Sequence, residues 1–263
     1  MKQVFVIKIG GNVIDDPEAL NSFLEDFHRI DSPKVLVHGG GKIASRLGDQ
    51  LGIKSNYVDG RRITDDATID LVTMVYGGLV NKQVVAQLQS LGCNAIGITG
   101  ADANLLPAIK RPVKTIDFGW VGDVEAGKIP VNRWQVLLDN DFIPVLAPLT
   151  HDGQGHMLNT NADTMAAVIA EALSVQYNVR LLYCFEKKGI LEDVNNDASV
   201  ITHLDRNSYA TLRQEGKLFA GILPKLDNAF AAIDAGVKEV LIGHAEDLLQ
   251  NTTTKTTGTL ITA

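Results

Sequence analysis

The sequence has little cysteine, no long apolar run and no signal-peptide pattern. Only Cys93 and Cys184 occur among 263 residues, and both lie in or beside apolar segments. We therefore expect small core residues of a reducing compartment, and neither a disulfide framework nor a catalytic thiol. No apolar stretch approaches the ~20 residues of a membrane helix, and the N-terminus is not basic-then-apolar. These absences predict a cytoplasmic protein.

Basic tracts, internal repeats and Pro/Ser-rich linkers are also absent. The formal net charge is −7 at pH 7, whereas a protein that binds nucleic acid through its phosphates needs clustered cations. We therefore expect no nucleic-acid partner, and an anionic substrate must be bound by a few well-placed Lys and Arg side chains. The length is enough for one large α/β domain or for two lobes that share a sheet.

Two apolar strands each end in glycines. The first, Val4–Ile9, carries Lys8 and leads into Gly10-Gly11, and the second, Val35–Val37, leads into Gly39-Gly40-Gly41. Glycines at strand ends let phosphate oxygens approach backbone N–H groups. A lone lysine at a strand end is more often solvated, but beside glycines it is placed to neutralise a β/γ-phosphate. The runs match neither a Walker A loop nor GxGxxG, yet they predict a nucleotide site.

Apolar strands alternate with helical patterns along most of the chain. The predicted strands lie at 4–9, 35–37, 95–99, 143–148, 180–185, near 240 and near 260. The predicted helices lie at 17–30, 43–51, 67–91, 134–138, 162–173, 205–215 and 224–235. The segment 57–66 suits a hairpin or loop, and 118–130 suits small antiparallel strands. This alternation predicts an α/β fold with a mostly parallel sheet covered on both faces, and a lobe boundary near 175–180.

Two helix starts carry more polar groups than a helix start needs. Asn159-Thr160-Asn161-Ala162-Asp163 is typical of an Asx turn with an N-cap, but two asparagines and an aspartate exceed that requirement. Lys225 follows Gly221-Ile222-Leu223-Pro224 at another helix start, where the helix dipole disfavours a cation. We expect one polar group of the first cluster to face a ligand, and an anion bound near Lys225 would stabilise that lysine.

Six short motifs occur in the order seen in the amino acid kinase family, which the chain resembles over nearly its whole length. They are Lys8-Ile9-Gly10-Gly11, His38-Gly39-Gly40-Gly41, Gly60-Arg61-Arg62-Ile63-Thr64, Asn159-Thr160-Asn161-Ala162-Asp163, Gly221-Ile222-Leu223-Pro224-Lys225 and Gly258-Thr259-Leu260-Ile261. Within the family the chain most resembles the branch that acts on N-acetylglutamate. The resemblance implies ATP-dependent phosphorylation of the side-chain carboxylate of N-acetyl-L-glutamate, or of another N-acyl-L-glutamate such as N-succinyl, in arginine biosynthesis.

The resemblance also implies an architecture. It is an open three-layer αβα sandwich with a mostly parallel central sheet, forming one continuous domain. Residues 1–175 would be an N-terminal lobe that binds N-acylglutamate and dimerises, and residues 176–263 a C-terminal lobe that binds ATP. Mg²⁺ would be held mainly by nucleotide phosphates, without a protein metal site. Since the first strand starts near residue 4, leaving no room for the N-terminal helix that interlaces arginine-regulated hexamers, we expect a homodimer insensitive to arginine.

By the same resemblance, Lys8 and Lys225 neutralise the transferring phosphoryl group and Asp163 holds the two lysines in position. Arg62 would pair with the substrate α-carboxylate. The expected substrate-binding residues are Gly40, Gly41, Arg62, Asn159 and Asn161, and the expected nucleotide-binding residues are Gly10, Gly11, Glu186, Gly189 and Leu191. The glycines would supply backbone N–H groups. Glu186 to Leu191 would form the adenine-side loop, although many relatives carry an aspartate and an uncharged residue where this chain has Glu186, Lys187 and Lys188.

The chemistry leaves several alternatives open. A glutamate side-chain carboxylate has a pKa near ~4.3, so it is ionised at neutral pH and needs no general base. Rival functions are a family kinase acting on aspartate, free glutamate, carbamate or a nucleoside monophosphate, and a non-catalytic nucleotide-binding protein of the same fold. A NAD-dependent oxidoreductase is more distant because the glycine spacing is wrong. Arg61, Lys110 and Arg111 are surface cations unless one points into the pocket, where it would favour a succinyl group.

Overall fold

The structure is a computed structural model and describes residues 1–58, 60–193, 195–216, 218 and 223–263. The strands are β1 (Gln3–Ile9), β2 (Lys34–Val37), β3 (Asn56–Val58), β4 (Arg61–Ile63), β5 (Ala95–Ile98), β6 (Ala108–Lys110), β7 (Gly122–Val124), β8 (Ile143–Leu146), β9 (Leu149–His151), β10 (Met157–Asn159), β11 (Asn178–Phe185), β12 (His203–Leu204), β13 (Glu239–His244) and β14 (Thr259–Ile261). The α-helices are α1 (Gly11–Asp15), α2 (Pro17–His28), α3 (Gly41–Leu51), α4 (Asp66–Val72), α5 (Asn81–Ser90), α6 (Val131–Asp139), α7 (Ala162–Ser174), α8 (Arg206–Gln214), α9 (Leu223–Asp234) and α10 (Leu248–Asn251).

The chain forms two compact units, of which unit 1 comprises residues 1–35 and 166–263. Its strands follow the order β12-β14-β13-β11-β1. β1, β11 and β13 run parallel, whereas β14 is antiparallel to β13. Most side chains of β1 and β11 are buried, as expected for parallel strands covered on both faces. Because Ile9 lies opposite Cys184, the carboxyl ends of these two strands meet at one edge.

Unit 2 comprises residues 36–165. β8 runs parallel to both β2 and β5 and lies between them. Antiparallel hairpins join β3 to β4 and β9 to β10, and β6 also pairs antiparallel with β7. β2 leads directly into the glycines that precede α3, and β10 ends at Asn159. The carboxyl end of β2 and the end of the β9–β10 hairpin therefore carry two of the motifs singled out in the sequence.

Most predicted elements are confirmed. α2 begins at Pro17 because the Asp16 side chain caps it, accepting hydrogen bonds from the backbone N–H groups of Glu18 (3.0 Å) and Ala19 (3.1 Å). The segment 57–66 contains the β3–β4 hairpin, as predicted. Some elements were not predicted. Residues Gly11–Asp15 form a short helix, the long helix of 67–91 changes to π-helix over Thr73–Val80, and β6, β9, β10 and α10 lie where no element was expected. The glycine and isoleucine of the 221–225 motif lie outside the described residues.

The α/β fold class with a mostly parallel sheet is confirmed. The lobes expected at 1–175 and 176–263 differ from the division into units, because β1 pairs with β11 and so joins the C-terminal part of the chain. The ligand assigned to each lobe stays a prediction. In the described part of the chain, no helix combines the length and the apolar character needed to cross a membrane.

Candidate active site

A cleft of about 230 Å³ opens in unit 2 beside the glycine loop. The five expected substrate-binding residues lie in three elements and in the segments before two helices, yet all five line this cleft. The lining residues are Gly39, Gly40, Gly41, Tyr57, Gly60, Arg61, Arg62, Tyr76, Arg111, Val121, Pro148, Asn159, Thr160, Asn161 and Ala162. Three are arginines, and of the described lining residues none carries a carboxylate. The cleft is therefore suited to an anion.

The glycine loop is shaped for close backbone approach. Gly40 has φ +148°, a conformation that side chains rarely adopt, and a Cβ there would lie 3.0 Å from the Tyr76 ring. No side chain caps α3 at Gly40, so the first-turn N–H groups of this eleven-residue helix are available to an anion. The roles expected for Gly40 and Gly41 are compatible with this geometry.

Arg62 is buried and already holds part of the cleft in place. Its Nη2 donates to the Gly41 carbonyl oxygen (2.9 Å) and to Ser45 Oγ (3.0 Å), and its Nη1 donates to Ser55 Oγ. The guanidinium also lies over the Tyr57 ring, 4.8 Å from the ring centre. A guanidinium has five N–H donors, so these three bonds leave two for a ligand. Arg62 thus has a structural role that its motif did not predict.

The other two arginines of the cleft differ from each other. Arg111 forms a bidentate pair with Asp123, with Nε 3.0 Å and Nη2 2.5 Å from Oδ1, so its charge is compensated. Arg61 is exposed and makes no such pair with a described residue. Lys110 does not line the cleft and instead lies over the Trp120 ring, 3.8 Å from its centre. Of these three cations, Arg61 is the one that lines the cleft and has no acidic partner among the described residues.

The two asparagines of the Asn159–Asp163 motif make different contacts. Asn161 is the cap of α7, where its Oδ1 accepts a hydrogen bond from the Thr164 backbone N–H at 2.9 Å. Asn159 donates from Nδ2 to Thr64 Oγ1 at 3.0 Å. Both still line the cleft, whereas Asp163 lies in the first turn of α7 and is not among the lining residues. The Asx-cap interpretation is therefore correct for Asn161, and the orienting role of Asp163 stays a prediction.

His38 belongs to the second motif, to which the sequence analysis assigned only the role of its glycines, and it is buried against the glycine loop. His38 Nδ1 lies 2.7 Å from the Gly39 carbonyl oxygen, and His38 Nε2 lies 3.1 Å from Asn81 Nδ2. Asn81 also donates to the Val145 carbonyl oxygen, and Lys82 donates to Asn81 Oδ1. Burial lowers the pKa of His38 from 6.5 to about 4. The neutral ring therefore donates from Nδ1 to Gly39 and accepts at Nε2.

In unit 1, both candidate catalytic lysines meet the end of β11. Lys8 lies opposite Tyr183, and its charge opposes the burial that raises the pKa of Cys184 to about 12. Lys225 Nζ lies 4.9 Å from the centre of the Phe185 ring. The Gly10 N–H donates to the Cys184 carbonyl oxygen at 3.1 Å, and Gly11 opens α1. Lys8, Lys225 and a glycine turn thus all lie at the carboxyl end of β11.

The three residues expected on the adenine side differ in their exposure. Glu186 is exposed and lines a second cleft of about 190 Å³ together with Asn12, Phe185 and His244. Gly189 is buried, and a Cβ there would lie 2.7 Å from Thr259 Oγ1. Leu191 is 3% exposed and bridges to Val200. Their nucleotide contacts stay predictions, and only Glu186 is open to a ligand in this structure.

The side chains near the glycine turn of unit 1 are of the kinds that bind phosphate groups. Among the described residues, no group of three or more His, Cys, Asp or Glu side chains is placed to hold a metal ion. Lys8, Lys225 and glycine N–H groups are the donors that polyphosphates need. A Mg²⁺ ion carried by nucleotide phosphates and water is compatible with such a site.

The model of the amino acid kinase family matches residues 3–244. This chain belongs to the amino acid kinase family. It is 52% identical to acetylglutamate kinase of Cytophaga hutchinsonii over 265 residues, covering 100% of both chains. It is 51% identical to acetylglutamate kinase of Parabacteroides distasonis, covering 97% of this chain and 99% of that relative.

Solved structures agree with the amino acid kinase fold. The smu.665 protein of Streptococcus mutans is 30% identical, with a TM-score of 0.79 and coverage of 100% of both chains. Neisseria gonorrhoeae N-acetylglutamate synthase, complexed with coenzyme A and N-acetyl-glutamate, has a TM-score of 0.82 at 23% identity, and this chain spans 59% of its length. Carbamate kinase of Giardia lamblia, bound to AMP-PNP, has a TM-score of 0.71 at 14% identity. The last two show the fold alone.

Proposed function

We propose that this amino acid kinase uses ATP to phosphorylate the side-chain carboxylate of N-acetyl-L-glutamate, a step of arginine biosynthesis. Relatives named acetylglutamate kinase share about half of the sequence over its full length. The structural observation that carries the proposal is the unit 2 cleft, where Arg62 and the glycine loop converge and no described carboxylate opposes an anionic amino acid. Unit 1 would bind ATP through Lys8, Gly10, Gly11 and Lys225.

The reaction needs positioning and charge neutralisation more than proton transfer. An oxygen of the ionised side-chain carboxylate attacks the γ-phosphorus, the bond from phosphorus to the β,γ-bridging oxygen breaks, and ADP leaves with that electron pair. No proton moves, so no general base is required. Lys8 and Lys225 would neutralise charge on the phosphoryl oxygens, and glycine N–H groups would donate to them. Mg²⁺ bound to the nucleotide would neutralise further phosphate charge.

A substrate panel tests this function. We expect ADP release, measured by a coupled assay with MgATP, to be fastest with N-acetyl-L-glutamate and at least about a hundredfold slower with free glutamate, aspartate and UMP. Carbamate kinase activity is measured in reverse, as ATP formed from carbamoyl phosphate and ADP. A preferred acceptor other than an N-acylglutamate would replace the proposed function with that of another family kinase. ATP binding without turnover on any acceptor would favour a non-catalytic nucleotide-binding protein.

N-succinyl-L-glutamate is the second candidate substrate, because Arg61 lines the cleft without an acidic partner among the described residues. A succinyl group adds one carboxylate, and a charge pair with Arg61 would raise kcat/KM by about tenfold or more. The measurement compares kcat/KM for the acetyl and succinyl substrates in wild type, Arg61→Ala and Lys110→Ala. The charge pair predicts a succinyl preference that only Arg61→Ala removes. A preference for acetyl, or a succinyl preference that survives in Arg61→Ala, rejects it.

A further inference from the structure

Ser45 does not line the cleft, but its hydroxyl contacts three residues that do. Ser45 is half-buried and lies on α3, one turn after Gly41. Its Oγ lies 3.0 Å from the Gly41 carbonyl oxygen, 3.0 Å from the Tyr57 hydroxyl and 3.0 Å from Arg62 Nη2. This single hydroxyl therefore connects the start of α3 to both strands of the β3–β4 hairpin.

A hydroxyl has one proton and two lone pairs, and this decides the direction of the three hydrogen bonds of Ser45. A guanidinium has donors only, so Ser45 Oγ accepts from Arg62. A carbonyl oxygen accepts only, so the Ser45 proton is donated to Gly41, one helical turn back. The remaining lone pair of Ser45 accepts from the Tyr57 hydroxyl. All three bonds form at once, and the hydrogen-bonding capacity of Ser45 is fully used.

These contacts hold the guanidinium of Arg62 in one orientation. Its Nη2 group donates one proton to Ser45 and the other to the Gly41 carbonyl oxygen at 2.9 Å. Tyr57 lies directly opposite Arg62 on the neighbouring strand, and its ring centre is 4.8 Å from the guanidinium. Both Nη2 protons therefore have acceptors within the chain. Because Nη1 also donates to Ser55, the protons left for a ligand are one on Nη1 and one on Nε.

An arginine that is already held in place binds a carboxylate more tightly than one that moves freely. Ordering a long side chain on binding costs conformational entropy, and an ordered side chain has met this cost before the ligand arrives. Without the Ser45 hydroxyl, Nη2 would keep one acceptor instead of two, and the Tyr57 hydroxyl would lose its acceptor. Both the guanidinium and the ring beside it would then move more freely.

We propose that Ser45 is a positioning residue that orients Arg62 to bind the α-carboxylate of the N-acylglutamate. The residue thereby contributes to selection of an acylated amino acid over an acylated amine that lacks this carboxylate. The proposal rests on the proposed function for the identity of the ligand. Ser45 acts through Arg62 on binding and not on the chemical step, so its effect falls on KM more than on kcat.

The test pairs one variant with two ligands. Ser45→Ala removes the hydroxyl and keeps a good helix former on α3. N-acetyl-L-glutamate carries the α-carboxylate, whereas 4-acetamidobutyrate has the acylated nitrogen and the reacting carboxylate without it. We expect Ser45→Ala to raise KM and the calorimetric Kd for N-acetyl-L-glutamate about tenfold and to change kcat less than threefold. The calorimetric Kd for 4-acetamidobutyrate should stay within about twofold.

A double-mutant cycle tests whether Ser45 acts through Arg62. In the Arg62→Ala background, Ser45→Ala should change the Kd for N-acetyl-L-glutamate less than about twofold. An equal loss of affinity in both backgrounds would show that Ser45 acts independently of Arg62, which overturns the proposal. Ser90→Ala is the matched control, because Ser90 lies on α5 in unit 2 and donates its hydroxyl to the Gln87 carbonyl oxygen of its own helix at 2.7 Å. It should leave both affinities unchanged.

The remaining outcomes separate this proposal from the proposed function. An unchanged Kd for N-acetyl-L-glutamate in Ser45→Ala overturns the role of Ser45, and so does an equal loss of affinity for both ligands, which would indicate a structural role. A wild type that binds N-acetyl-L-glutamate but does not phosphorylate it rejects the proposed function, while the calorimetric comparison still decides the role of Ser45. A wild type that binds neither ligand rejects both.

Discussion

Lys8 and Lys225, which are far apart in the sequence, meet the same strand end in unit 1. The charge of Lys8 reaches Cys184, and Lys225 Nζ lies over Phe185, the next residue of β11. Ammonium groups beside the N–H groups of a glycine turn are donors that suit a bound polyphosphate. At the scale of single residues, this convergence is the strongest sign of phosphoryl transfer.

Replacing either lysine should slow turnover without unfolding the protein. We expect Lys8→Ala and Lys225→Ala each to lower kcat by roughly 10² to 10³, the usual loss for one donor that stabilises a transition state. The measurement is the coupled assay at saturating ATP, with folding checked by circular dichroism. Lys238→Ala is the control, because Lys238 is also a lysine of unit 1 but is half-exposed and lies 3.9 Å from Glu239. Near-normal kcat in both test variants would remove the two lysines from the site.

Asp163 is expected to orient other groups and not to act as a base. The substrate carboxylate is ionised already, so Asp163→Asn should lower kcat while the pH profile between pH 6 and 9 keeps its shape. The measurement is kcat against pH for wild type and variant. The orienting role would be contradicted by a wild-type rate that rises with a titrating group in this range and becomes flat in the variant.

At the scale of elements, the sequence predicted the helices and strands whose start, end and apolar spacing are set by neighbouring residues. α2 was found because Asp16, Pro17 and the apolar spacing up to Phe27 all lie within one helix. The π-helical segment was not predicted. Thr73–Val80 is apolar at most positions, so its spacing does not distinguish a π-helix from an α-helix.

Long-range contacts explain the parts of the site that were missed. Asn81 contacts His38 across 43 residues of sequence, and nothing local to either residue indicates that bond. Arg62 was expected to bind a carboxylate, but its bonds to Gly41 and Ser45 depend on how the β3–β4 hairpin meets α3. Motif order predicted which residues gather at the cleft. It did not predict which of them hold one another in place.

The support of the glycine loop by His38 should make stability depend on pH. The pKa of His38 is about 4 in the folded protein and 6.5 ordinarily, so below pH 6.5 the unfolded chain takes up a proton that the folded protein refuses. This contribution to stability is complete above pH 6.5 and is lost as pH falls toward 4. We expect the loss of this contribution to lower the free energy of unfolding by about 2 kcal/mol between pH 7.5 and pH 5.

Urea denaturation at the two pH values measures this loss, and His38→Gln should reduce the difference. The pKa itself is read from the histidine ring protons by NMR, which needs no variant. A His38 resonance that titrates near pH 6.5 would contradict the buried neutral ring.

At the scale of the whole molecule, the homodimer stays a prediction. Substitutions at exposed apolar residues of unit 2 can test it. Met74 is 58% exposed and Leu79 is 41% exposed. They are five residues apart on a π-helix, whose i→i+5 bonding brings such positions to one face. We expect light scattering to give twice the monomer mass, and Met74→Glu with Leu79→Glu to give monomers. Val175→Glu, at a residue 71% exposed outside this segment, is the control. A wild-type monomer, or a dimer that the double variant leaves intact, would contradict the prediction.

The pairing of β1 with β11 has a consequence for how the protein is made. β1 leaves the ribosome before unit 2, but β11, which pairs with one of its edges, follows only after all of unit 2. At about 5–20 residues per second, that edge of the apolar strand must remain unpaired for roughly ten to thirty seconds. Unit 2 is contiguous and has no such delay. Nascent chains should therefore acquire a protease-resistant unit 2 before unit 1, and β1 is the segment that a chaperone must shield during synthesis.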